Sequence, residues 1–320
     1  MIIHKATYGG KDVKSILDSK IINGALRVKV CNDIFGDPAL GVLKYLEIES
    51  DVGSKKVPEN SYLSLPDDNE IVAQARPDSN LPGISCYCST YGRPKKLLEN
   101  SVQCFLEQDY QGPKELLILN DFDQQDIIYD HPEVKIINTK ERITPLGKKF
   151  NHNIDLCKYD ILATWEDDDV FLKNRLSYSY KNMKNGIFHT HNAFYEVSEQ
   201  NIVVSQNIFH STHMFTKEIF NAIRYGESED SCSLDLSLMA KFREKFGNYT
   251  QDTNIKDIFY IYVWACSQSY HGSGHGSVNK NISKTAEDIV KDQILKNDVK
   301  AGEIYLEPKL RYNFYDFLPK

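Results

Sequence analysis

Apolar and polar positions follow two different rhythms along this chain. In residues 1–75 short apolar stretches read as strands. Val28-Lys29-Val30 alternates as a half-buried strand does, Val42 to Ile48 and Tyr62 to Leu65 are further strand candidates, and Ile34-Phe35-Gly36-Asp37-Pro38 interrupts them as a turn. The pattern predicts a small β-rich accessory domain over 1–75. The stretch from Asp67 to Gly83 is polar, with Pro66, Pro77 and Pro82 in or beside it. It predicts a linker, placed at 76–83.

From residue 84 the rhythm changes. Ile84 to Cys88, Glu115 to Leu119, Val134 to Ile137 and Asp160 to Trp165 are short, almost continuous apolar runs. Between them lie stretches of helical period. Arg93-Pro94 opens one that lines up Leu97, Leu98, Val102, Phe105 and Leu106, and Gly147 to Cys157 is another. Continuous apolar strands alternating with amphipathic helices predict an α/β domain over 84–320, built on a mostly parallel sheet covered on both faces. Such sheets bind ligands at the carboxyl ends of their strands. Thr90, Asp121 and the acids after Trp165 fall there. The second half predicts a strand or hairpin over Ile202 to Phe215, helices over Lys217–Ile223, Ser233–Phe246 and Thr285–Leu295, and a strand over Ile258–Cys266.

Composition narrows the classes. Of 320 residues, 41% are hydrophobic and 26% charged, which excludes a disordered or fibrous chain. The net charge of −7 argues against binding nucleic acid through a broad basic surface. The N-terminus has no basic segment followed by an apolar one, and no apolar run reaches membrane-spanning length. The seven cysteines are scattered, with no Cys-x-x-Cys. Reduced thiols and a soluble, cytoplasmic protein are the expectation, and a zinc site is not.

The chemistry gathers at Trp165-Glu166-Asp167-Asp168-Asp169. Four consecutive carboxylates repel one another, by roughly 4 kcal/mol for a pair about 4 Å apart at an effective dielectric near 20. A fold either solvates such a run or neutralises it with a cation. All-oxygen ligands suit Mg²⁺ or Mn²⁺, which accept one or two carboxylates and complete their shell with substrate phosphates.

Five segments in order resemble a family 2 glycosyltransferase of the GT-A fold over residues 84 to about 280. They are Ser85 to Pro94, with its Thr-Tyr-Gly-Arg-Pro turn; Phe105-Leu-Glu-Gln-Asp-Tyr110; Leu116-Leu-Ile-Leu-Asn-Asp121; Leu146-Gly-Lys-Lys-Phe-Asn151; and the acidic run, which resembles the Asp-x-Asp metal motif. The N-terminal unit lies outside the resemblance. The resemblance implies a metal-dependent, inverting transfer from a nucleotide-sugar donor, UDP-linked by expectation, with Mn²⁺ or Mg²⁺ as cofactor. It implies that Asp168, Asp167 and Asp169 ligate the metal. Thr90, Tyr91, Arg93 and Asp121 would line the donor nucleotide, with Asp167 near it. Two positions depart from the family. Glu166 stands where it usually has Asp, and Phe150 where it has Arg, so Lys148 or Lys149 would have to replace that cation.

Inversion also needs a base for the acceptor hydroxyl. The family's Glu-Asp pair resembles Glu229-Asp230, which makes Asp230 the candidate and Asp235 the rival. Both acids could instead simply favour a helix N-terminus. The resemblance further implies a late histidine at the metal or diphosphate, His271 or alternatively His275, within the glycine-rich Tyr270–Ser277. The pairs His189/His191 and His210/His213 are candidates for the acceptor side, along with His275, although ordinary hydrogen-bonded histidines read the same way. The acceptor stays open among glycan, protein, lipid and modified DNA, the last disfavoured by charge. Phosphate-binding loops, serine-hydrolase elbows and His-Glu-x-x-His are absent. A nucleotidyltransferase would need a longer glycine-rich turn than Ser89-Thr-Tyr-Gly-Arg93. A non-catalytic binding protein would not need the acids.

Overall fold

The computed structural model describes residues 1–22, 25–39, 42, 44–59, 62–65, 81–206, 210–227, 232–263 and 286–319. The chain forms two compact units, Met1–Arg76 and Pro77–Lys320.

The first unit is antiparallel β. One sheet has the order β2 (Lys11–Asp12), β1 (Ile3–Tyr8), β5 (Tyr45–Ser50), β6 (Gly53–Pro58); another joins β3 (Ile21–Ile22), β4 (Ala25–Lys29) and β7 (Tyr62–Leu65). Their apolar faces enclose Tyr8, Leu17, Leu26, Phe35, Leu46 and Leu63. Residues 34–38, expected as a turn, overlap the end of one helical turn over Asn32–Phe35. Gly36 ends it at φ +76°, a conformation that costs glycine little.

The second unit is built on a six-stranded sheet in the order β11 (Val134–Asn138), β9 (Lys114–Asn120), β8 (Ile84–Thr90), β12 (Ile161–Thr164), β17 (Met214–Thr216), β14 (Ile187–Phe188). The first four strands are parallel, and β17 and β14 add antiparallel pairing. In β8 and β9 almost every residue is buried, as expected of strands covered on both faces. On one side lie Leu98, Phe105, Trp165 and Phe171; on the other, Tyr87, Phe150, Phe215 and Phe242. A second sheet has the order β13 (Val170–Phe171), β18 (Tyr260–Val263), β15 (Asn192–Ser198), β16 (Asn201–Gln206).

Register aligns the strand ends. Thr90 lies opposite Asn120, and Asn120 opposite Asn138. The residues that follow therefore emerge along one edge. The chain's last strand, β19 (Gly302–Tyr305), pairs in parallel with β10 (Gln125–Ile128). Beyond it, Glu307 N–H donates to Glu99 at 2.8 Å, Arg311 pairs with Glu196 at 2.9 Å, and the Tyr315 hydroxyl accepts from Lys173 N–H at 2.9 Å. Among the described residues no helix is long and apolar enough to cross a membrane.

Candidate active site

The carboxyl edge of the large sheet carries two charged centres. The first follows β9. Asp121 is buried with both oxygens engaged. Oδ1 meets Lys149 Nζ at 2.5 Å, and Oδ2 accepts from Arg142 Nη1 at 2.6 Å and from Ile143 N–H at 2.8 Å. Lys149 also donates to Thr90 O at 2.6 Å. Burial pulls the Lys149 ammonium below its ordinary pKa, against the pull of Asp121. Arg142 lies over the Tyr91 ring, 3.7 Å from its centre, and reaches Glu287 at 3.4 Å. Tyr91 meets Phe122 edge-on. Gly92, at φ +52°, lets this turn approach helix Ala286–Leu295; a Cβ there would lie 2.7 Å from Val290.

The second centre follows β12. Trp165 is buried, stacks on Phe171 and donates to Ser101 Oγ at 3.1 Å. The four acids after it turn different ways. Glu166 accepts from Ser211 Oγ at 3.1 Å and lies 3.6 Å from His210 Nδ1. Asp167 is buried and gives both oxygens to Arg93, at 2.6 Å from Nη2 and 2.8 Å from Nε. Asp168 lies 3.2 Å from Arg93 Nη1, with its side chain 14% exposed. Asp169 turns inward to accept from Val263 N–H at 2.9 Å and from the Tyr260 hydroxyl. Burial, with Asp168 beside it, pushes the Asp169 carboxyl well above the usual carboxylate range.

A third element approaches through helix Leu146–Asp155. Gly147 brings that helix so close that a Cβ would lie 2.0 Å from Gly226 O. One turn on, Asn151 accepts from Tyr225 N–H at 3.1 Å and donates to Tyr225 O at 3.2 Å. The Leu-Gly-x-x-x-Asn spacing thus docks the strand of chain that leads toward the acids of 227–235.

The remaining expected residues fall as follows. Thr90 is buried, and its Oγ1 has no hydrogen-bond partner among the described residues. Lys148 is exposed on its helix, while Lys149 is 1% exposed. Phe150 is a core residue, stacked on Tyr225 at 5.0 Å, so the position where the resemblance expects an arginine holds no room in water for one. His189 and His213 stack on each other at 4.2 Å inside the aromatic core, and His213 contacts Tyr249 at 3.0 Å. Packing among Phe242 and Tyr249 removes both rings from solvent, which departs from the expectation that they face an acceptor. His191 is partly exposed, 3.1 Å from Asp252. Asp235 has a half-exposed side chain, 3.8 Å from His210 Nδ1. Asp230, His271 and His275 lie outside the described residues. Arg142 was not singled out by the sequence, and His210 was read only as the partner of His213 on the acceptor side. Arg142 sits in a loop without a motif, and His210 differs from its neighbour His213 only through the short 3₁₀ turn His210–Thr212.

Among the described residues no three metal-ligating side chains gather. Asp167 and Asp169 have committed their oxygens to Arg93, Tyr260 and Val263. The run therefore offers two partly exposed carboxylates, Asp168 and Glu166, and Glu166 faces Ser211 and His210. That set fits a hard divalent cation whose shell is completed by substrate phosphate and water, and does not fit a closed protein cage.

Residues 85–243 match the family model described as glycosyl transferase family 2. This segment belongs to that family. No curated protein matches the chain. Among solved structures, this glycosyltransferase domain overlaps S. aureus TarS residues 1–349 at 13% identity and a TM-score of 0.43, covering 57% of this chain and 60% of that one. The same TarS fragment in complex with UDP-GlcNAc gives 12%, 0.44, and 67% of each chain. The mannosyltransferase PcManGT from Pyrobaculum calidifontis, in complex with GDP-Man and Mn²⁺, gives 13%, 0.41, and 58% of each. The chain described here spans about 60% of the first of these, and overlaps of this extent assign neither donor nor acceptor to it.

Proposed function

We propose that this chain transfers a sugar from a nucleotide donor, UDP-linked, to an acceptor hydroxyl with inversion at the anomeric carbon, and that a divalent cation, Mn²⁺ or Mg²⁺, takes part. The observation that carries the proposal is the charge imbalance after β12. Four carboxylates stand together there, and Arg93 is the guanidinium that pairs with two of them. Such a surplus at the carboxyl edge of a sheet is where a cation and a diphosphate would complete each other.

Asp168 would hold the cation, which when bound offsets the charge developing on the departing diphosphate. Arg93 keeps Asp167 and Asp168 in place. Tyr91, stacked under Arg142, and the Thr90 hydroxyl offer the donor a flat surface and a polar atom. Asp121 acts on the donor through Arg142, since its own oxygens are engaged. In the transfer the acceptor oxygen bonds to the anomeric carbon. The bond from that carbon to the diphosphate breaks, and its electron pair leaves with the nucleoside diphosphate. The acceptor proton passes to Asp230 or Asp235. His271 or His275 reaching the metal or diphosphate completes the reading. Residues 1–75 serve as an accessory domain. A cytoplasmic setting is supported by free cysteines at Cys31, Cys86, Cys88, Cys104 and Cys157.

The test is a thermal shift with UDP and GDP, with Mn²⁺ or with EDTA, followed by nucleotide release from UDP-GlcNAc and GDP-mannose. A bound donor raises the melting temperature by mass action, so UDP with Mn²⁺ raises it and EDTA removes the gain. Release at an unchanged rate in EDTA rejects the cation. No shift with any nucleoside diphosphate rejects the enzyme class.

A further inference from the structure

His210 belongs to none of the family's motifs quoted above, yet it joins the acidic run to helix Cys232–Phe246. Its side chain is 3% exposed. Nδ1 faces Glu166 Oε1 at 3.6 Å and Asp235 Oδ1 at 3.8 Å, which are ion-pair rather than hydrogen-bond distances. Nε2 bonds the Tyr225 hydroxyl. That hydroxyl lies 3.1 Å from the Tyr87 hydroxyl, and Tyr87 lies 2.8 Å from Thr164 Oγ1. A buried polar chain thus runs from the end of β12, through two tyrosines and a histidine, to two carboxylates at the site. The other groups around the ring are Phe150 and His213, centred 5.9 and 5.8 Å away.

The backbone that carries His210 is fixed. Arg175, fully buried, donates from Nη2 to His213 O at 2.6 Å and to Ser211 O at 3.4 Å. Thr212 Oγ1 donates to Thr190 O at 2.7 Å, and His213 Nδ1 contacts His210 O at 2.8 Å. Among the described residues Arg175 pairs with no carboxylate, so its charge is spent on the carbonyls of this turn. Burial pulls the His210 imidazole toward neutrality, but Asp235 and Glu166 outweigh it and hold the ring above its ordinary pKa. As a cation the ring donates on both sides. Nδ1–H points at the carboxylates, and Nε2–H points at Tyr225.

We propose that His210 is a positioning residue. It holds Asp235 in place, so that Asp235 takes the acceptor proton, and it ties Asp235 to Glu166 beside the acidic run. This rests on the glycosyltransferase reading and selects Asp235 over Asp230 within it. Glu166, the departure from the family's Asp, then has a use, since the longer side chain reaches the histidine that a shorter one would miss.

The test separates the two sides of the ring. His210→Asn places an amide nitrogen near Nδ1, keeps a donor for Asp235 and Glu166, and loses Tyr225. His210→Gln places it near Nε2, keeps Tyr225 and loses the carboxylates. Each variant is measured with UDP-GlcNAc and GDP-mannose plus Mn²⁺, with water as acceptor, alongside UDP-induced thermal shift to show that it folds and binds. The expected result is that Gln lowers kcat by about 10- to 100-fold with KM for donor unchanged, as misplacement of a catalytic group does, while Asn retains most of the rate. In Asp235→Asn, a half-exposed position that leaves the core alone, adding His210→Gln lowers the rate no further. The reverse order, with Asn inactive and Gln active, makes the ring a packing element and overturns the proposal. Full additivity with Asp235→Asn does the same. A readout free of donor distinguishes failure of the enzyme reading. Imidazole ¹⁵N spectra at neutral pH show both His210 nitrogens protonated, and Asp235→Asn shifts the ring toward the neutral form. A neutral ring indifferent to Asp235→Asn overturns the pairing whatever the protein transfers.

Discussion

The two charged centres at the edge of the large sheet follow neighbouring parts of the same fold and are built on opposite principles. After β9 a single buried carboxylate, Asp121, is met by Lys149, Arg142 and a backbone N–H, and Glu287 balances the outer guanidinium. After β12 four carboxylates share one arginine and one histidine: Asp167 and Asp168 meet Arg93, Glu166 faces His210, and Asp169 turns inward to Val263. The first centre is electrically closed and needs nothing from outside to be stable. The second is left negative, and a fold tolerates that only where solvent or a ligand supplies the missing charge. Burial alone does not separate the two, since Asp121, Asp167 and Asp169 are all buried. Charge balance does.

The comparison breaks most sharply at Asp121. Asp121→Asn leaves the Lys149 ammonium buried without its countercharge. Breaking a buried pair costs about 3–5 kcal/mol, so chemical unfolding of the second unit shifts by that amount. An unchanged unfolding midpoint would mean that the first centre is as open as the second.

Asp168→Ala gives the converse. It removes one of several repelling charges, so the melting temperature holds or rises. Nucleotide release in Mn²⁺ falls by roughly 10²-fold or more, because a metal contributes several kcal/mol of charge stabilisation. A variant that melts early but releases nucleotide at the normal rate would make the run structural.

The smallest effect is expected at Asp169. Asp169→Asn keeps an acceptor for Val263 N–H and a partner for the Tyr260 hydroxyl, so stability at neutral pH stays within roughly 0.5 kcal/mol and the rate changes little. The pH dependence moves instead. The folded carboxyl keeps its proton well above the ordinary 3.8, where the unfolded chain has already released it. That contribution to stability is complete below pH 3.8 and is lost as pH rises through the folded value, and Asn removes the slope. Equal slopes in Asp169→Asn and the parent would show that Asp169 is ionised in the folded protein.

The sheet was legible because burial on both faces writes itself as continuous apolar runs, and β8, β9, β11 and β12 fall where those runs lie. Strands β1, β6 and β15 were not named individually, since polar residues within them break up the apolar run. The split between Lys148 and Lys149 was present in the sequence as a helical stripe. Lys149, Phe150 and Asn153 share a face, and all three are buried. The chemical likeness of two adjacent lysines hid it. Phe150 was read against the family's arginine rather than against that stripe. Arg142 left no trace and His210 showed only as the partner of His213, because both owe their position to long-range contacts. Arg142 reaches back to Asp121, and His210 is set by Arg175 from another helix.

The pairing of β19 on β10 has a consequence for the order in which the protein can be made. Synthesis runs from the N-terminus, and domains begin to fold as they emerge. Every strand of the large sheet leaves the ribosome before Gly302–Tyr305 does, and β10, which borders the Asp121 centre, waits without its neighbour until then. Gln125 at the head of β10 bonds both Arg93 O and Lys300 O, so the turn holding the arginine of the acidic run is secured by residues translated some two hundred positions later. A nascent chain that has not yet reached residue 300 carries the acids and lacks the brace, so the turn that holds Arg93 is completed only when the β19 segment arrives.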